Sequence, residues 1–587
     1  MKERPLRPLA MALIALSIGA VAGIGAVIFR ALIALFHNLI FLGRFSTFYD
    51  ANRHTEPSPW GVGIVAAVAL AALLVVYLTQ TYAPEARGHG VPEVMDAIYY
   101  QRGRIRPVVA VVKSLASALS IGSGGSVGRE GPIIQIGATL GSIAAGFLRL
   151  PLPQRITLIA AGAGAGIAAT FNTPVGGVLF ALEILLHEVS VRTLVPVALA
   201  TAAATYLGRL FFGPHPSFVI PSFETPYFAL TAPTVLLAYL GLGLLTGLAS
   251  ALYIRTIYGF EDFFLRRFPR RPYLRHAVGM AGVALIFYLL LVTTGRYYLE
   301  GVGYATVQDV LMGQLGGVGF LLLLFALKLV ATGLTLGSGA SGGIFSPGLF
   351  LGATLGGAYG RLLAALFPAL AISPPAFAVA GMAGMIGGAT GAAVTAIVII
   401  FEMTLDYSAV LPMAIAVAAS YGLRKALVGE SIYTMKLERR GHPMPDALQT
   451  NFQYMLPAAQ AMDRRLVRVM AETSVGAFLE AHRERLGEAW FVGYNGAKLL
   501  GYLSPKAALR LALAAHPEDR LGPYLAHDFV LVGERRRLFN LIAAMRRRGA
   551  SVAIVLGGKD GGPVGVVARE QLGALTLEVS ELYLPGG

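Results

Sequence analysis

Residues 113–132 read KSLASALSIGSGGSVGREGP, and residues 328–347 read KLVATGLTLGSGASGGIFSP. The two stretches are offset by 215 positions and share nine of twenty residues. The register continues beyond them. Gly137-Ala138-Thr139-Leu140-Gly141 falls opposite Gly352-Ala353-Thr354-Leu355-Gly356, and with a small shift Glu183 falls opposite Glu402, each closing an apolar helix. An ungapped register through two motifs is the mark of a duplicated unit rather than of glycine-rich coincidence. Gly/Pro-interrupted segments paired between two halves point to a transporter-like fold with its site at the repeat interface.

Composition sets the solvent. The chain has 587 residues, of which 56% are hydrophobic and 13% charged, and its mean hydropathy is +0.66. That excludes a string of soluble domains and predicts a polytopic membrane protein. The 71 glycines suit helices that approach closely or break inside a bilayer. With no cysteine there is no disulfide, thiolate metal site, iron–sulfur cluster or thiol nucleophile, and no metal site is expected. The net charge of +15 reads as basic cytoplasmic segments rather than as a nucleic-acid surface.

Charge divides the chain. Residues 1–435 hold 27 Lys+Arg and 17 Asp+Glu, while the much shorter 436–587 holds 20 and 15. The expected organisation is a membrane domain over 1–440, a linker over 441–458 and an aqueous domain over 459–587. The basic, Pro-containing junction Lys436–Pro445 suits a cytoplasmic linker. The apolar stretch from Met11 to about Leu42 is too long for a signal-peptide core, so it is expected to stay in place with both termini cytoplasmic. About a dozen further apolar segments follow, from 60–82 to 409–427. Several are shorter than the ~20 residues of a straight span. Broken helices of this kind are tolerated at membrane depth only when buried in protein or lining a cavity.

Four short segments share one design, in which a polar or glycine-containing run meets a proline and then an apolar helix. They are Gly88-His89-Gly90-Val91-Pro92, Gly128-Arg129-Glu130-Gly131-Pro132, Gly343-Ile344-Phe345-Ser346-Pro347 and Asn172-Thr173-Pro174. Proline favours the first helical position, and glycine lets a backbone come close to a guest. Helix starts present unpaired N–H groups and the positive end of the dipole. Converging starts would hold an anion without a full positive charge, which would bind too tightly to release it. Glu130 stands out, because an acid beside a helix start in apolar sequence is costly unless used. Its carboxylate would occupy the anion's place, and protonation would let it leave. It is the candidate gate and proton carrier.

Two matches to G-x-S-x-G, at Gly124–Gly128 and Gly339–Gly343, raise an intramembrane serine hydrolase as a distant alternative. That motif needs a strand–turn–helix setting and a partnered base. Neither match follows a clear strand, and no histidine pairs obviously with either serine.

Together, Gly128–Pro132, Gly343–Pro347 and the Gly-x-Gly-x-Pro of 88–92 resemble the CLC family of chloride channels and chloride–proton antiporters, over roughly residues 10–440. The resemblance implies chloride transport rather than catalysis, and a homodimer with one anion pathway per subunit. It also implies an all-α membrane fold of inverted repeats and broken helices, in a bacterial inner membrane. Glu130 matches the family's gating glutamate. The anion-site positions that follow from it are His89, Gly90, Arg129, Gly131, Gly343, Ile344, Phe345 and Tyr433, the last through its hydroxyl. The chain departs from the family twice. His89 stands where serine is usual, and it can donate a hydrogen bond or make transport pH-sensitive. Glu183 keeps the first of two adjacent acids found in many exchangers, but Ile184 replaces the second, the inner proton relay. A voltage- or pH-dependent channel is therefore the favoured expectation, and an antiporter with another internal proton route the alternative. Glu183 keeps an internal proton or structural role; His187 and Glu188 are substitute relays to weigh.

Past residue 459 the pattern changes to a small α/β domain. Short strands are predicted near Phe491-Val492-Gly493, Leu499–Leu503, Val552–Leu556 and Val564–Val567, with helices at 474–485, from Pro505 and at 535–548. The arrangement resembles a tandem pair of CBS modules with a regulatory role. The acid that often holds a nucleotide ribose in that family is missing at Ser504-Pro505-Lys506, and Glu570 is only a loose counterpart in the second half. No cofactor is assigned, an adenine nucleotide having no support from these residues. Arg535–Arg537 and Arg546–Arg548 could meet anionic lipid or phosphate, against the blander reading of a solvated basic helix.

Overall fold

A computed structural model describes residues 5–187, 190–220, 233–370, 372–444, 456–557 and 561–570. The chain divides into two compact units, Met1–Met444 and Pro445–Gly587.

The first unit is helical throughout. Its first half runs α1 (Pro8–Leu42), α2 (Ile64–Thr81), α3 (Val91–Tyr99), α4 (Val108–Gly122), α5 (Glu130–Phe147), α6 (Leu152–Phe171), α7 (Pro174–Phe180, continued by a π turn over Ala181–Leu186) and α8 (Val191–Phe212). The second half runs α9 (Pro233–Arg267), α10 (Pro272–Thr294), α11 (Tyr304–Leu311), α12 (Val318–Ser338), α13 (Phe345–Leu366), α14 (Pro374–Thr390), α15 (Ala393–Thr404) and α16 (Val410–Val428), before the short α17 (Thr434–Arg439). The repeat is thus eight helices long. The packing repeats with it: α1 lies on α4, α6 and α8 as α9 lies on α12, α14 and α16, and α5 on α6 as α13 on α14. The halves meet where α2 packs on α10 and α7 on α15. Among the described residues, eight helices are long and apolar enough to cross a membrane. The helices α5, α13 and α14 are buried along most of their length, so they are shielded by protein. That shielding is what allows the breaks before α5 and α13.

Glycine is what lets the inner helices touch. A Cβ on Gly137 would lie 2.0 Å from the Gly162 oxygen, and one on Gly352 would lie 2.4 Å from the Gly381 oxygen. Any larger residue would separate α5 from α6, or α13 from α14.

The repeats are also bonded to each other about a pseudo-twofold relation. Gly128 N–H donates to the Gly343 carbonyl at 2.7 Å, and Gly343 N–H donates back at 2.6 Å. Those two residues are 215 positions apart, so each pairs with its own counterpart. Ser126 meets Thr332 at 2.8 Å, and their counterparts Ser341 and Ser117 meet at 2.8 Å. The buried ammonium of Lys113 donates to the Ala86 and Gly88 carbonyls (2.9 and 2.7 Å), and that of Lys328 to those of Leu299 and Gly301 (2.9 and 3.0 Å). Each lysine pins the loop that leads into the short helix α3 or α11.

The second unit holds two copies of one pattern. In the first, β1 (Leu466–Met470) pairs parallel with β2 (Trp490–Asn495), which pairs antiparallel with β3 (Lys498–Leu503). In the second, β4 (Phe529–Gly533) pairs parallel with β5 (Val552–Gly557), and β5 antiparallel with β6 (Gly562–Ala568). Helices α18 (Ala458–Ala461), α19 (Val475–His482), α20 (Pro505–Ala514) and α21 (Leu538–Arg548) surround them. Trp490, Val492 and Tyr502 pack with Val552, Ile554 and Val566 in one core that joins the copies. The four strands expected from sequence are present, together with β1 and β4. The expected linker lies largely outside the described residues.

Candidate functional site

Three of the four helix starts singled out in the sequence meet. The loop at 88–90 is tied to the loop before α13, with Gly88 N–H on the Ala340 carbonyl (2.9 Å) and Gly342 N–H on the Gly88 carbonyl (3.2 Å). It also lies against the first turn of α5, where a Cβ on Gly131 would come 2.0 Å from the His89 oxygen. The Gly128–Gly343 pair closes the junction. The backbones around 90, 130 and 343 therefore share one buried point.

The fourth start does not join them. At the head of α7, the N–H groups of Val175 and Gly176 are taken by the Glu402 carboxylate at 3.1 and 2.7 Å. The counterpart is reciprocal: Glu183 accepts from Val394 N–H (3.3 Å), Thr395 N–H (2.7 Å) and the Thr395 hydroxyl (2.6 Å) at the head of α15. Three of the four starts converge, and an acid from the other repeat already fills the fourth. Glu183 is engaged in this capping. Ile184 beside it is buried. His187 meets the Tyr99 hydroxyl at 3.2 Å, and Glu188 lies outside the described residues.

Glu130 begins α5 and is buried, 2% exposed. Its Oε1 accepts from the Tyr304 hydroxyl (2.8 Å) and from the Ser346 hydroxyl, and its Oε2 lies 3.3 Å from the Ser346 N–H in the first turn of α13. Tyr304 and Ser346 also meet each other at 2.8 Å. A carboxylate is thus held by hydroxyls and a helix-start amide. Among the described residues Glu130 has no ion-pair partner within 4.0 Å. The neighbouring Arg129 instead places its guanidinium 5.3 Å from the Tyr304 ring and 6.0 Å from that of Phe171.

The other expected site residues are placed as follows. Ile344 precedes α13, and its carbonyl accepts from the Tyr253 hydroxyl at 2.9 Å. Phe345 opens α13 and packs on Phe171 with ring centroids 5.5 Å apart. Tyr433, 2% exposed, sits at the head of α17. Its neighbour Ile432 is fixed by an N–H bond to Ala389 (2.9 Å) and by the Tyr258 hydroxyl (2.7 Å). The Tyr433 hydroxyl itself has no hydrogen bond to a described protein atom. His89 is buried between Gly88 and Gly90, its ring 6.2 Å from that of Tyr258, and its Nδ1 has no partner among the described residues. A ring nitrogen and a hydroxyl left without described partners near a buried junction are groups that a guest could engage.

Tyr304 and Ser346 were not singled out in the sequence. Each had a signal. Ser346 lies within the quoted Gly343–Pro347 motif, and Tyr304 follows Gly301-Val302-Gly303, the second repeat's counterpart of Gly88-His89-Gly90. The serines of the G-x-S-x-G matches face no base: Ser126 meets Thr332, and Ser341 meets Ser117 and donates to the Ala86 carbonyl at 2.5 Å. In the second unit, Glu570 pairs with Lys506 at 3.1 Å on an open surface.

The sequence profile of the voltage gated chloride channel family matches residues 71–425. The H+/Cl− exchange transporter ClcA of Vibrio parahaemolyticus is 34% identical over 390 residues, which span 64% of this chain and 80% of that protein. Among solved structures, a slow cyanobacterial Cl−/H+ antiporter superposes with a TM-score of 0.63 at 24% identity, covering 73% of this chain and 97% of that one. A eukaryotic CLC transporter gives 0.61 at 21% identity and covers 96% of this chain and 98% of its own. The chain belongs to the CLC family. It is an integral membrane protein of chloride transport.

Proposed function

We propose that chloride crosses at the junction of residues 88–90, 128–131 and 343–346, with Tyr433 beside it, and that Glu130 is its protonatable plug. The observation that carries this is the Glu130 carboxylate itself. It is an anion held by the Ser346 amide and two hydroxyls where helix starts meet. A dehydrated halide asks for the same partners. Protonation removes the charge that those donors hold and frees their place. His89 and Tyr433 supply further donors to the passing ion.

The mode proposed is a pH-dependent channel. It is supported by Ile184, which cannot carry a proton, and by Glu183, whose two oxygens are spent on α15. Exchange is the second reading, favoured by the name of the Vibrio parahaemolyticus relative. The homodimer and the inner-membrane setting with both termini cytoplasmic follow from family resemblance and from the basic segments at 2–7 and 436–440. The second unit is proposed as a regulatory CBS-like pair, supported by its duplicated parallel–antiparallel sheets.

The test is a coupled flux assay in liposomes. Chloride movement that drives protons uphill would establish exchange. Large chloride flux without proton movement would establish the channel. No chloride flux in either form would overturn the pathway.

A further inference from the structure

Beside Tyr304, residues of the loops at 43–60 and 295–303 and of the start of α11 line a cavity of about 10 Å3, the room of one water. Its lining includes exposed Arg53, half-buried His54, Tyr49 and Glu300, and buried Tyr304. Tyr304 is the residue whose hydroxyl holds Glu130. Glu300 has no part in the pathway described above. Its Oε1 accepts from the Thr55 hydroxyl, which also meets His37 at 3.1 Å, while its Oε2 is enclosed and has no partner among the described residues.

We propose that this cavity is a proton inlet to Glu130, with Glu300 as the group that loads it. The assignment rests on Glu130 being the plug. A proton from water at the Arg53 end binds the Glu300 carboxylate. It leaves that carboxyl for a water in the cavity, and the water passes a proton to the Tyr304 oxygen as Tyr304 gives its own to Glu130 Oε1. Glu300 ends as carboxylate, Glu130 as carboxylic acid, and water and phenol are restored.

The surroundings suit a group that gains and loses a proton. Glu300 lies in the connection between α10 and α11, outside the spanning helices, and burial raises its carboxyl to about 7. Lys328 from α12 opposes that shift and Thr55 stabilises the charged form. His37 of α1 and Tyr49 stand behind Thr55. On the other wall His54 is tied to Asp309 at 2.8 Å, and Arg296 to the same acid at 3.2 Å. Those charges are paired with one another, and Arg129 covers the Tyr304 ring.

The experiment is a pH jump on proteoliposomes holding the full chain, with chloride flux followed in time. Glu300→Gln should slow the response to acid by roughly a hundredfold, the low end for a positioned proton-transfer group, and Glu300→Asp should restore most of it. Since the chain has no cysteine, Arg53→Cys offers a single thiol at the mouth. A bulky thiosulfonate reagent there should slow the response relative to the unmodified variant. A Glu300→Gln response at the wild-type rate, or an Arg53→Cys response indifferent to the reagent, overturns the inlet if Glu130→Gln still abolishes the response. If Glu130→Gln responds to acid as wild type does, the plug falls and the inlet with it.

Discussion

The Tyr304 hydroxyl lies 2.8 Å from Oε1 of Glu130, so the acid that opens α5 in one repeat is held from α11 in the other. The plug's residence is therefore set by groups on both halves. Hydrogen bonds to a charged group contribute about 1.5–3 kcal/mol. Tyr304→Phe and Ser346→Ala should each shift the plug toward its released state by roughly tenfold or more. The expected result is higher chloride flux at neutral pH, read as chloride efflux from liposomes. Flux no greater than wild type in both variants would contradict this.

Glu130→Gln removes the charge but keeps the shape. Flux at neutral pH should rise to the level that wild type reaches in acid, and the pH dependence should flatten. Efflux measured across a pH series in parallel liposome preparations decides this, and an unaltered profile would remove Glu130 from the gate.

Tyr433 is a buried residue whose hydroxyl no described protein atom engages. Tyr433→Phe should weaken discrimination between chloride and other anions, by about 0.5–1.5 kcal/mol for one net hydrogen bond. Reversal potentials in mixed-anion bilayers measure it, and identical selectivity would take Tyr433 out of the pathway.

His89 presents an Nδ1 without a partner among the described residues at the same junction. His89→Ser replaces a ring that can bear charge with a neutral hydroxyl. Anion preference should shift while the acid activation carried by Glu130 persists. If anion preference stays fixed, the ring is turned from the ion path.

Glu183 and Glu402 cap each other's repeat. Glu183→Ala and Glu402→Ala should each cost about 1–3 kcal/mol, because two helix-start N–H groups lose their acceptor, one of them part-buried. Detergent-solubilised protein should melt at lower temperature in both, and Glu183→Ala should not change how flux depends on inner pH. A changed inner-pH profile would restore a proton role to Glu183.

Much of this was readable in the chain. The Gly-x-Gly-x-Pro, Gly-Arg-Glu-Gly-Pro and Gly-Ile-Phe-Ser-Pro motifs marked three helix starts that do meet, since each glycine is fixed by a neighbouring backbone. The repeat was visible around 113–141 and 328–356 and, with a small shift, at Glu183 and Glu402, although it spans eight helices. The outer pairs α1/α9 and α2/α10 need only be apolar, so nothing preserved their letters. Tyr304, Lys113 and Lys328 escaped notice because their partners lie on distant segments. The Asn172-Thr173-Pro174 start misled for the same reason, its amides being claimed by Glu402. In the second unit β1 was hidden by the exposed Arg468 and Met470 within a five-residue strand.

The crossed pairing of Gly128 with Gly343, Ser126 with Thr332 and Ser117 with Ser341 bears on how such a molecule is born. A ribosome delivers the amino-terminal half first, and its buried hydroxyls and amides then face lipid with their counterparts still unmade. The first half is therefore left waiting in the bilayer until synthesis of the second supplies what it lacks.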